Sequence, residues 1–123
     1  MRRSAASVVL ALAFAGCITP TIPIPPPDPT EMTFHVTTVN MLSKATFTYP
    51  VQHNYCGGVV YLYDRNCQCG VIHAVNPSCS IGPVEMQATL GDSVDVTVQR
   101  PDQTVSTCVV LREGAQDPTQ YCQ

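Results

Sequence analysis

The chain has 123 residues, with six Lys/Arg against nine Asp/Glu, a formal net charge of −3 at pH 7, seven cysteines, eleven prolines and no tryptophan. So sparse and acidic a charge set argues against nucleic acid as a partner, and against attachment to anionic lipid through a basic patch.

At the amino terminus, Arg2 and Arg3 precede an apolar run from Ser7 to Ile18. This is the layout of an export signal, and the run is shorter than the ~18 residues that a membrane-spanning helix requires. Phe14-Ala15-Gly16-Cys17 resembles the lipobox of bacterial lipoproteins, with Phe14 where Leu is usual. Small Ala15 and Gly16 suit a tight protease cleft, and Cys17 supplies the thiol. The resemblance implies cleavage before Cys17 and acylation of its sulfur. Ile18, in place of the Asp that retains family members on the inner membrane, implies the outer membrane of the cell envelope. "RRSAAS" lacks the rest of a twin-arginine motif, so the general secretory route is expected. The resemblance covers the first seventeen residues only, and the expected division is 1–16 signal, 17–31 lipidated cysteine and linker, 32–123 folded domain. One acyl chain binds a bilayer marginally, whereas two or more anchor stably.

Ile18 to Glu31 follows, containing Pro20, Pro23, Pro25, Pro26, Pro27 and Pro29. Such a composition favours polyproline II at ~3.1 Å per residue, which predicts a solvated, stiff spacer of roughly 40 Å.

From Met32 onward apolar residues alternate with polar ones, the mark of half-buried strands. Met32, Phe34 and Val36 share one face; Ala45, Phe47 and Tyr49 another. "GGVVYLYD" is apolar on both faces and suits a central strand. Val84, Met86, Ala88 and Leu90 are expected inward, as are Val94, Val96 and Val98, with a tight hairpin between the two runs at Gly91-Asp92. "TVSTCVVLRE" is the last long strand, entered through the Pro101-Asp102 turn. About six or seven short strands predict an all-β fold, a small antiparallel sandwich or barrel braced by disulfides.

If Cys17 is acylated, the remaining cysteines form an even set: Cys56, Cys67, Cys69, Cys79, Cys108 and Cys122. An even set in an exported chain reads as a disulfide framework whose connectivity spacing alone does not fix. Cys108 with Cys122 is the favoured pair, stapling the polar tail to the last strand. Cys67 and Cys69, two apart on a stretched backbone, are expected to bond elsewhere, with Cys56 and Cys79 in either combination.

Cys67, Cys69, His73 and Cys79 have residue types that suit zinc, but the spacing departs from the usual structural sites and oxidation removes thiolates as ligands. No thioredoxin-like alternation of strand and helix surrounds Cys67-Gln68-Cys69, so the pair is read as structural. His35, His53 and His73 have no evident nucleophile beside them, and Asp92 and Asp95 read as solvated turn residues. No catalytic residue, metal or cofactor is therefore expected. Tyr49, Tyr55, Tyr61 and Tyr63 crowd one stretch. His53 and Tyr55, in the loop before Cys56, together with Tyr61 and Tyr63 on one strand face, are the candidate binding residues. The expectation is a membrane-anchored envelope lipoprotein whose domain binds an unknown protein or glycan without catalysis; the alternative is an exported inhibitor of hydrolases.

Overall fold

Each alternating stretch is a strand in the computed structural model, which describes residues 22–120 and 122. The segment read as an export signal, including Cys17, lies outside the described residues. The strands are β1 (Thr33–Val39), β2 (Leu42–Tyr49), β3 (Val59–Asp64), β4 (Cys69–Ala74), β5 (Ile81–Gln87), β6 (Ser93–Gln99), β7 (Thr104–Val110) and the short β8 (Gly114–Ala115). Two four-stranded antiparallel sheets face each other, in the orders β5-β2-β1-β8 and β4-β3-β6-β7. They do not close into a barrel, so the fold is a sandwich. No helix among the described residues is long and apolar enough to cross a membrane.

Alternation dictates the core. Phe34, Phe47 and Val84 stand in register across the first sheet, as do Val36, Ala45 and Met86. Leu62 opposes Val96, and Val60 opposes Val98, across the second. All of these are buried except Val36, which packs against the cluster from its margin. β3 lies between β4 and β6, in the central place expected of its apolar run, although its outer face carries the half-buried Tyr61 and the exposed Tyr63.

The Gly91-Asp92 turn is present, with Gly91 at φ 92°, but it does not make a hairpin. β5 and β6 belong to different sheets, and the turn carries the chain from one to the other. Its backbone pairs instead with the end of β7, Gly91 N–H donating to Leu111 O and Leu111 N–H to Asp92 O. Turn chemistry specifies a reversal, not the sheet in which the next strand finds its partner. Leu90, expected inward, lies in this turn beyond the end of β5 and is 56% exposed.

The described part of the proline-rich stretch is not a free spacer. Pro27 is buried and Ile24 packs against the core. Extended backbone has no internal hydrogen bonds, so its polar groups are free to pair with the domain. Tyr55 Oη donates to Pro25 O at 2.7 Å, Thr107 Oγ1 to Pro27 O at 2.6 Å, and Asp28 N–H to Tyr49 Oη at 3.0 Å. Gln103 holds both Ile22 and Ile24, and Gln116 N–H donates to Pro29 O. Residues 22–31 are thus a strap on the sandwich.

Successive strands run in opposite directions. The β1–β2, β3–β4 and β5–β6 connections therefore gather at one end, and β2–β3, β4–β5 and β6–β7 at the other, while the β7–β8 connection runs from Val110, opposite Ser93, to β8 beside Thr33 and Phe34 at the start of β1. The strap begins beside Gln103, in the β6–β7 turn, so it enters at the second end.

Candidate functional site: an apolar end around a Cys-x-Cys bridge

The residues nominated from sequence are not brought together. His53 is exposed at the strap end, where Arg100, Asp102 and Gln103 also line a shallow recess. Tyr55 is fully buried, contrary to its expected exposure. A 3₁₀ turn over His53–Tyr55, capped by Gln52 Oε1 accepting from Asn54 N–H, points its ring inward to within 5.8 Å of the Tyr49 ring. Burial pushes its hydroxyl pKa far up. The turn is tied down by the Cys56–Cys79 disulfide.

Tyr61 and Tyr63 do share the outer face of β3, half-buried and exposed respectively. Tyr61 opposes Ile72 on β4 and Thr97 on β6; Tyr63 opposes Gly70 and Asp95. Arg65 grips Asp95 with two 2.8 Å bonds, so this face carries a settled ion pair beside two aromatic rings. Hydrogen bonding to Asp95 raises the guanidinium pKa further.

Disulfide pairing joins Cys56 to Cys79, Cys67 to Cys69 and Cys108 to Cys122. The last is the pair favoured from sequence. The second corrects the expectation that Cys67 and Cys69 bond elsewhere. That expectation assumed an extended backbone, whereas Cys67 sits in the β3–β4 turn and Gln68 is left-handed at φ 55°. The bend brings the two Cα atoms to 5.3 Å, within the usual disulfide range. The zinc set considered from sequence is dispersed by this pairing. His53 lies close to Cys56 and Cys79, but those sulfurs are bonded to each other.

Asp64 anchors the Cys-x-Cys turn. Its Oδ1 accepts from Asn66 N–H at 2.8 Å and Cys67 N–H at 3.3 Å. It opposes Cys69 directly across the β3–β4 ladder. The side chain is completely buried, and Oδ2 has no partner. Desolvation, then the neighbouring Asp92 carboxylate, push its pKa up to about 6. Gly70, next along, admits no side chain: a Cβ there would stand 2.6 Å from Leu62 O.

Both bridge sulfurs lie against the carbonyl oxygen of Gln87, at 3.7 and 3.6 Å. Gln87 also lines a groove of about 270 Å³ between the edges of the two sheets, with Leu42, Val71 and Met86 as its apolar wall and Lys44 and Glu85 at its mouth. Beside the groove the β1–β2 hairpin turns through Asn40 and Met41, both at positive φ (52° and 66°), the pattern of a type I′ turn. Met41 is 98% exposed, Val39 66% and Leu42 61%. Sequence reasoning missed this tip. Asparagine suits such a turn, but methionine rarely adopts left-handed backbone, so Asn40-Met41 does not stand out as a turn.

An apolar hairpin tip, an apolar groove and an exposed disulfide thus share one end of a disulfide-braced β-sandwich. No family model matches the chain, and no curated protein or solved structure matches it either.

Proposed function

We propose that this chain is an exported envelope lipoprotein, anchored through acylated Cys17, whose sandwich is a non-catalytic module that binds a protein through its apolar end. The observation that carries the reading is the display of Val39, Met41 and Leu42 at the end opposite the strap. Side chains so exposed, one of them on left-handed backbone, leave most of their apolar surface uncovered by the domain itself. The lipobox-like sequence and the complete pairing of the six other cysteines support export. With Ile22 already held by Gln103, the five residues from Cys17 span at most ~17 Å. The strap end then sits near the bilayer, and the apolar end points away from it. That orientation favours a protein partner over lipid for the tip. For the alternative, an inhibitor of hydrolases, the His53–Tyr55 turn offers the exposed His53 and Asn54 beside the Cys56–Cys79 bridge, whereas the aromatic ring of Tyr55 is buried.

The test pairs two changes. Cys17→Ser should move the protein from the membrane to the soluble fraction. A soluble form beginning at Ile18 should capture an envelope protein that a Val39→Ser/Met41→Ser/Leu42→Ser variant does not. Capture that is identical with the variant, or membrane retention of Cys17→Ser, contradicts the reading.

A further inference from the structure

We propose that the Cys67–Cys69 bridge is a thiol–disulfide exchange site, oxidising a peptide dithiol whose apolar side chain seats in the adjoining groove. The inference rests on the exported, oxidised state of the chain, and not on its anchor or on the hairpin-tip partner.

Four observations converge. The bridge is nearly redundant as a staple: it closes one intervening residue, in a turn already held by the β3–β4 ladder and by two hydrogen bonds to Asp64. On the chain-entropy model the smallest loop stabilises least. It is also the accessible bridge. Cys67 is exposed, whereas Cys69 and the four cysteines of the other two bridges are half-buried, and exchange proceeds where an attacking thiolate can reach a sulfur, here Cys67 Sγ. Third, Gln87, whose carbonyl lies against both sulfurs, also lines the groove, and the Leu42, Val71 and Met86 wall suits an apolar side chain.

Asp64 provides the fourth: it stands directly opposite Cys69 on the β3–β4 ladder, and its Oδ1 accepts from Asn66 and Cys67 N–H, so the turn keeps its shape while the bridge is open.

The chemistry balances. One thiolate of the peptide attacks Cys67 Sγ; the Cys67–Cys69 bond breaks, and Cys69 leaves as a thiolate that takes a proton. The second peptide thiolate attacks the peptide's own sulfur in the mixed disulfide, and Cys67 leaves in turn and is protonated. The peptide dithiol loses two electrons and two protons, and the chain's disulfide gains them.

The test uses the full mature chain and a reduced synthetic peptide with two cysteines flanked by leucines, read by alkylation and mass spectrometry. Cys67 and Cys69 should become alkylated at least tenfold faster than the other two pairs, with one peptide disulfide formed per chain. A Cys69→Ser chain, checked for strand content by circular dichroism, should accumulate a mixed disulfide through Cys67 with a single-cysteine form of the peptide supplied as its symmetric disulfide, which releases one peptide thiol and leaves no second thiol on the adduct to resolve it. Val71→Thr, which keeps shape but adds a hydroxyl to the groove, should lower the rate ratio of peptide to dithiothreitol about fivefold. Opening of the bridge no faster than the other two, or a folded Cys69→Ser chain that traps no peptide, overturns the proposal. An unchanged rate ratio in Val71→Thr overturns the groove's part in it. Each of these readouts is separate from hairpin-tip capture.

Discussion

Asp64 sets an unusual pH dependence. Its folded-state pKa of about 6 lies above the ordinary 3.8, so the folded chain holds this proton more tightly than the unfolded chain does. The group's contribution to stability is complete below pH ~4 and is lost as pH rises through ~6. Asp92 is the charged neighbour responsible after desolvation. Urea unfolding should therefore show a higher midpoint at pH 5 than at pH 7, and Asp64→Asn, which retains the Oδ1 acceptor, should abolish most of the difference; equal pH sensitivity in the variant contradicts the assignment. Met41 makes the other residue-scale case. Left-handed backbone costs a non-glycine residue ~1 kcal/mol, and Asn-Gly is the preferred type I′ pair. Met41→Gly should raise stability by ~0.5–1 kcal/mol in urea titration while weakening partner capture. A destabilised variant would show that the methionine serves the fold.

At the scale of elements, strap and disulfides divide the bracing. Tyr55→Phe removes the hydroxyl that holds Pro25, leaving a carbonyl that water can reach. It should cost ~1 kcal/mol and make residues 22–29 several-fold more sensitive to limited proteolysis, whereas unchanged cleavage would mean that the strap is held by other contacts. Losing the Cys108–Cys122 loop by double alanine substitution should cost ~3 kcal/mol, against ~1.5 for Cys67–Cys69. Thermal unfolding distinguishes the two, and a reversed order would make the small bridge the main staple. These elements also show where sequence is informative. Alternation exposed β1, β2, β5 and β6, because a half-buried strand has to repeat every second residue. It could not reveal the strap: proline-rich composition signals extended chain, and what docks it are hydroxyls on Tyr49, Tyr55 and Thr107, distant in sequence. Tyr55 misled for a related reason, since a polar loop around it hid a 3₁₀ turn that faces inward. Gln68, left-handed between two cysteines, gave no warning that a neighbouring pair could close.

For the whole molecule, strand direction matters most. Alternating strands separate the two ends, so the strap and the apolar tip cannot lie together. Anchorage proposed at one end thereby leaves the other for binding and exchange. Sheet pairing supplies the rigid body between them, with Val60, Leu62, Val96 and Val98 facing Phe34 and Phe47 across the core. Such a small domain buries a limited fraction of its surface, which is why three disulfides and a strap accompany it. Intact-mass spectrometry of the protein purified from envelopes tests the proposal most directly. The account predicts a chain beginning at Cys17, heavier by its acyl groups and lacking six hydrogens for three bridges, with no thiol open to alkylation. A mature terminus with an unmodified Cys17, or with that sulfur bridged into the sandwich, would contradict it.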